Sequence, residues 1–305
     1  MQPGLARADD APAEAEPESE AEAESEAEPE PEPESEAAAE SPTPGNAARR
    51  KTQTKSHASL FFCSYKPNYF AIGTGTSKFQ FSFRYAIWDF GRSPGACVSS
   101  GSRRQLQFAY TQKSLWRLFE DSSPFEENNY NPEFYYRENV RWGWLRAVRL
   151  GLEHESNGRA DPQSRSWDRI YVLASIGTRT DPTRASWLFR LYPKAWYILP
   201  SSELDEVPLD ETYGYFELVT AVRTPEMRGG TVETEVELRK GGDPTEWSRG
   251  SIQVGASYNP WPLRDDSRWR FTPYFFAQFF AGYGETLQRA DRASRNLRGG
   301  FRFLL

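Results

Sequence analysis

From about residue 58 onward, apolar and polar side chains alternate one by one, and this period of two restricts the fold more than any other feature. Phe79, Phe81, Phe83 and Tyr85 alternate with Gln80, Ser82 and Arg84, and Leu106, Phe108 and Tyr110 alternate with polar or small residues that include Gln105 and Gln107. Val232, Thr234, Val236 and Leu238 alternate with Glu233, Glu235, Glu237 and Arg239. Ile252, Val254, Ala256 and Tyr258 repeat the pattern, and Phe301, Phe303 and Leu305 flank Arg302 at the end. Successive side chains on a strand point to opposite faces, so each run predicts a strand with one apolar and one polar face. Turn formers separate the runs at Arg-Gly-Gly 228–230, Lys-Gly-Gly-Asp 240–243 and Asn-Pro-Trp-Pro 259–262. No amphipathic helix of useful length competes, and the expected fold class is all-β.

The charge of the chain is divided between two regions. Residues 9–40 hold 15 acidic side chains (Asp9, Asp10 and 13 Glu) and no basic one, in an Ala/Glu/Pro/Ser-rich stretch with nothing apolar to bury. Like charges repel and proline breaks helices, so a solvated, disordered tail is expected over residues 1–57, with 41–57 leading into the folded body. The net charge of the whole chain is -6. Setting aside the 15 acids and Arg7 leaves 28 acidic against 36 basic residues, so residues 41–305 carry about +8. Ala6-Arg7-Ala8 has the form of a signal-peptidase site without the apolar segment that normally precedes it, which suggests a start further upstream.

A mean hydropathy of -0.74 and the absence of any run near the ~18 apolar residues of a membrane helix exclude a helical membrane protein. They do not exclude a β-barrel, in which every second residue faces a hydrated lumen. The 10 Trp, 15 Tyr and 20 Phe include candidates for interfacial girdles at Trp142, Trp144, Tyr135, Tyr136, Trp261 and Trp269. Polar faces that carry both signs of charge suit a lumen better than the surface of a soluble sandwich. An antiparallel transmembrane barrel of about a dozen strands is expected over 58–305, with a soluble β-sandwich as the alternative.

The chemistry concentrates between residues 148 and 170. Val148, Leu150 and Leu152 share a face that continues into His154 and Ser156. After the loop NGRADPQSRS, Asp168 shares the parity of Ile170, Val172, Ala174 and Ile176. If the two strands form a hairpin, His154, Ser156 and Asp168 meet on the outside of the sheet near one rim. A serine needs a base to take its proton, an imidazole suits that task, and a carboxylate fixes the imidazole tautomer. Ser156 is then nucleophile, His154 base and Asp168 orienting group. His-x-Ser also arises by chance, so a structural reading of the pair stands beside the catalytic one, although an unpartnered histidine facing lipid is costly.

These segments resemble the outer membrane phospholipase A family of Gram-negative bacteria. The resemblance runs in order through KFQFSFRYAIW (78–88), FAYTQKSLWRL (108–118), SSPFEENNYNPE (122–133), LEHESNGRADPQSRSWDR (152–169) and, more weakly, AGYGETL (281–287). It implies a twelve-stranded outer-membrane barrel that hydrolyses acyl esters of glycerophospholipids, of A1 and A2 type and extending to lysophospholipids. It further implies a calcium-dependent enzyme, active as a homodimer, with its site at the external leaflet and an acyl-binding cleft between the two copies. Carried over by position, His154 and Ser156 are base and nucleophile, and Asp168 stands where the family usually has Asn. Ser122 (from the second copy), the Arg159 carbonyl and Ser164 become calcium ligands, with Asp161 a further ligand in a monomer, and Gly158 an oxyanion donor. Such oxygen donors suit a hard cation, while loop hydrogen bonding is the ordinary reading of the two serines.

Two further departures and alternatives belong here. EENNY at 126–130 replaces the family's commoner RETNY, exchanging an arginine for Glu126. Gln112 is either a polar residue at a dimer interface or a lumen-facing structural one. Cys63 and Cys97, the only cysteines, stay unassigned. No nucleic-acid motif is evident, and the basic body suits anionic lipopolysaccharide better than nucleic acid. A passive pore is the non-enzymatic alternative.

Overall fold

The computed structural model describes residues 63–91, 102–180, 184–200, 209–227, 230–242, 249–260 and 273–303. The chain divides into two units, Met1–Thr54 and Lys55–Leu305, and all described residues belong to the second. The expected tail, Cys97, Trp261, Trp269 and Leu305 lie outside the described residues.

The alternating runs become strands β1 (Cys63–Ser64), β2 (Asn68–Gly73), β3 (Ser77–Asp89), β4 (Arg104–Trp116), β5 (Phe125–Trp142), β6 (Leu145–Ser156) and β7 (Ser166–Gly177). They continue with β8 (Leu188–Ile198), β9 (Phe216–Arg223), β10 (Thr231–Lys240), β11 (Gly250–Asn259), β12 (Pro273–Gly282) and β13 (Ser294–Phe303). Each strand from β3 onward pairs antiparallel with its sequence neighbour, β13 pairs with β2, and β2 pairs with β3, which closes the sheet. β1 and β2 both lie along β3 and form one strand interrupted at 65–67, so the barrel has twelve staves. The only helix among the described residues is α1 (Leu209–Tyr213), too short to span anything. Closure leaves no open edge, which rules out the sandwich.

The two faces separate as the alternation requires. Phe81, Phe134, Leu150, Leu152, Val172, Phe275 and Leu297 are exposed on the outside, where a membrane barrel presents its apolar band. Trp142 and Trp144 stand exposed at the β5–β6 turn. Tyr135 corrects the expected girdle. Its parity turns it inward, where it is buried and its hydroxyl donates to Gln107 Oε1 at 2.5 Å.

The lumen is built from charge pairs. Lys194 Nζ lies 2.6 Å from Glu153 and Lys113 Nζ lies 2.7 Å from Glu155, while the Arg169 guanidinium bridges Glu153 (3.2 Å) and Glu155 (3.1 Å) above the Trp167 ring. A polar cavity of about 260 Å³ remains, lined in part by Lys66, Glu217 and Glu235. At the end where β6 terminates, the 283–293 loop folds inward. Leu287 and Ala290 pack with Leu209, Tyr213, Trp167 and Trp196, and Glu127 accepts the amides of Leu287 (2.6 Å) and Gln288 (2.9 Å).

Removing one member of a buried charge network strands the others without compensation. Arg169→Ala is expected to lower unfolding free energy by about 3 kcal/mol, read as a lower urea midpoint in detergent micelles. An unchanged midpoint would show that the network adds nothing to stability.

Candidate active site

Residues 145–156 and 166–177 become a hairpin because both carry an unbroken alternation and the intervening loop starts with Asn157-Gly158, a turn-forming pair. His154 stands directly opposite Asp168, and Ser156 opposite Ser166. The Asn157 amide donates to the Arg165 carbonyl at 3.0 Å, which sets the phase of this ladder. Residues 157, 155 and 153 therefore exchange hydrogen bonds with β7, while 154 and 156 turn their amides and carbonyls toward β5. A non-hydrogen-bonded antiparallel pair brings its side chains closest, and His154 Nδ1 lies 2.8 Å from Asp168 Oδ1. A carboxylate only accepts, so this contact puts the ring proton on Nδ1 and leaves the Nε2 lone pair free. The two side chains are 40% and 33% exposed, which leaves the pair reachable from outside the barrel. Ser156 occupies the next outward position toward the rim, with Tyr130 of β5 on its other side.

The loop beyond Ser156 is held by its first residue. Asn157 is buried, its Nδ2 donates to the Gln163 carbonyl at 2.8 Å, and its Oδ1 accepts the amides of Arg165 (3.0 Å) and Arg159 (3.3 Å). Gly158 has φ +63°, and a Cβ there would meet the Tyr130 ring at 2.5 Å. Arg159 donates to Gln163 Oε1 at 2.7 Å and to the Glu126 carbonyl at 2.6 Å, tying this loop to the start of β5. The Glu126 carboxylate is paired with Arg117 and Arg289, so the charge introduced by EENNY is neutralised locally.

Of the candidate calcium ligands, Arg159, Asp161 and Ser164 share the 157–165 loop. Ser122 stands in the β4–β5 loop at the same end of the barrel, at φ +60°. No group of three or more His, Cys, Asp or Glu side chains that could hold a metal occurs among the described residues. A cation here would rest on carbonyl and hydroxyl oxygens with one carboxylate, a hard donor set that fits calcium and not a soft metal. Gln112 faces outward, accepting from the Tyr110 hydroxyl (3.3 Å) and donating to Ser114 (3.3 Å), so the lumen-facing reading does not hold. Sequence reasoning overlooked Tyr130 and Asn157. The Asn-Gly dipeptide was the available signal for the second, and strand parity opposite Ser156 for the first.

The model of the Phospholipase A1 family matches residues 63–303. Phospholipase A1 of Salmonella typhimurium is 32% identical over 216 residues, covering 69% of this chain and 63% of that protein; the Escherichia coli enzyme of the same name gives the same figures. The match thus spans less than two thirds of these relatives' length. Among solved structures, the calcium-bound dimer of Salmonella typhi outer membrane phospholipase is similar with a TM-score of 0.58 at 26% identity, over 80% of this chain and 92% of that one. Outer membrane phospholipase A from Escherichia coli is similar with a TM-score of 0.60 at 25% identity, over 79% and 93%.

The contact of Gly158 with Tyr130 is open to test. Gly158→Ala is expected to destabilise the fold by more than about 1 kcal/mol, since the positive φ and the ring both oppose a methyl group. In a Tyr130→Ala background the cost should shrink. Equal costs in both backgrounds, read by urea midpoints, would assign the whole effect to the backbone.

Proposed function

The chain belongs to the Phospholipase A1 family, and from that premise we propose that it hydrolyses acyl esters of glycerophospholipids at the outer surface of an outer-membrane barrel. The observation that carries this reading is the 2.8 Å contact of His154 with Asp168, one position along the same outward face from Ser156. A polar trio on the apolar side of a barrel is costly and reads as a functional site, and the exposure of His154 and Asp168 to the outside supports access by a lipid ester. The pore reading is opposed by Leu287 and Ala290, which are buried against Trp167, Trp196, Leu209 and Tyr213 at the site end of the barrel.

In the proposed reaction, His154 Nε2 takes the Ser156 hydroxyl proton while Oγ attacks the ester carbonyl carbon. Asp168 stabilises the imidazolium that forms. Collapse of the tetrahedral intermediate breaks the bond to the glycerol oxygen, which receives that proton from His154. A water then repeats the sequence on the acyl-serine, with His154 again as base, and releases the fatty acid. The Gly158 amide is the proposed oxyanion donor, since the missing Cβ permits close approach. Positions sn-1 and sn-2 and lysophospholipids are all proposed substrates, because each presents an acyl ester of a glycerol hydroxyl.

Calcium is the proposed cofactor, held by the Arg159 carbonyl, Ser164 and Ser122 of a second copy, with Asp161 serving in a monomer. When bound it polarises the ester carbonyl as a Lewis acid. The proposed active form is a homodimer that meets along the apolar outer faces, with Gln112 at the contact.

The test is hydrolysis of phospholipid by detergent-extracted protein. Ser156→Ala is expected to reduce turnover by about a thousandfold or more, and a chelator to abolish it until calcium is restored. Asp168→Asn should retain activity within roughly tenfold, since an amide oxygen still accepts from Nδ1–H. Full activity in Ser156→Ala would overturn the mechanism, and indifference to the chelator would remove calcium from it.

A further inference from the structure

β5 carries a proline where the ladder beside the site needs a donor. The pairs Tyr130↔Ser156 and Glu133↔Glu153 flank a gap in the β5–β6 register, and the constant register on both sides places Pro132 opposite His154. The phase of the β6–β7 ladder turns the His154 carbonyl toward β5. An ordinary residue at 132 would donate its amide to that carbonyl, but proline has none. The Asn131 side chain fills the place, its Nδ2 donating to the His154 carbonyl at 2.8 Å. Asn131 is buried in the lumen wall, and Lys66 Nζ donates to its Oδ1 at 3.4 Å. Lysine only donates and a carbonyl only accepts, so both neighbours demand the same amide orientation.

We infer that Asn131 is a positioning residue for the base of the proposed hydrolysis, a role that rests on the reading of His154 given above. The His154 backbone is set from the lumen side by Asn131 and its ring from the outer side by Asp168. Without the amide, the carbonyl is left unpaired beside a strand that cannot supply a donor, and β6 loses one restraint where a small displacement moves Nε2 relative to Ser156. Lys66 lies in the break between β1 and β2, so the interruption of the first stave delivers the group that orients Asn131.

The proline makes the inference separable from general stability. Asn131→Ala is expected to lower kcat roughly tenfold, the effect of about one lost hydrogen bond, with KM little changed. Pro132→Ala alone should stay near the parent. The double variant Asn131→Ala/Pro132→Ala should recover to within about twofold of it, because the new amide at 132 replaces the lost donor. Asn131→Leu, closer in shape, provides the same cycle if the alanine variant fails to insert, with folding read by the mobility of unheated samples on gels. Parent-like kcat in Asn131→Ala, or a double variant no better than the single, overturns the inference.

A readout independent of turnover separates this from failure of the hydrolase reading itself. The chain has two histidines, so a His57→Ala background leaves the His154 ring alone in 15N spectra. The Nδ1–H tautomer should dominate in the parent and in the double variant, and mix with the other tautomer in Asn131→Ala. If the parent hydrolyses nothing, the spectra still decide whether Asn131 holds the imidazole; spectra unmoved by Asn131→Ala count against it.

Discussion

Hydrocarbon offers the backbone no hydrogen-bond partner, and this single constraint organises the molecule. A sheet in that setting must close, and a closed sheet obliges every second side chain to face inward. The interior of this barrel is accordingly charged, because the outward positions have taken most of the large apolar residues. The same constraint explains the care spent on the one place where the ladder beside the site is broken. Pro132 removes a donor from a central strand, where proline is ordinarily excluded, and the neighbouring Asn131 returns it from the side chain.

The alternation also couples the site to the lumen through adjacent residues. Glu153 and Glu155 point inward into ion pairs with Lys194, Lys113 and Arg169, while His154 between them and Ser156 just beyond point outward. The charge network thus holds the strand that displays His154 and Ser156, and Arg169 does the same for β7 one residue beyond Asp168. Rigid elements hold functional geometry more precisely than loops do. Here the outward side chains rest on a strand pinned from behind by buried salt bridges rather than by apolar packing.

Much of this was legible in the residues. Strand parity alone placed His154, Ser156 and Asp168 on one face, because a period of two leaves no freedom once the two strands pair as a hairpin with their apolar faces aligned. Tyr135 was misread because aromatic residues serve both girdle and lumen, and only its parity relative to Phe134 distinguishes them. The pairing of Glu126 with Arg117 and Arg289 was invisible, since Arg289 arrives from a loop more than 160 residues away. Asn131 was hidden for a different reason. A side chain that replaces a backbone donor leaves no periodic trace, and its only signal is a proline inside an otherwise continuous strand.

The donor set at the rim bears on how the proposed enzyme is restrained. Calcium affinity rises with the number of charged ligands and the rigidity of the site. The 157–165 loop offers one carboxylate, Asp161, beside carbonyl and hydroxyl oxygens, while the nearby Arg159 and Arg165 guanidinium groups are occupied with Gln163, the Glu126 carbonyl and the carbonyls of Pro162 and Ser164. On the proposed reading, so weakly charged a cage would bind calcium poorly by itself. The proposed oxygen from Ser122 of a second copy would then change occupancy more than it would in a saturated, highly charged site. By linkage, whatever dimerisation adds to calcium affinity calcium must add to dimerisation. On the proposed reading, a barrel standing alone in an intact membrane is held inactive by the poverty of its own ligand set.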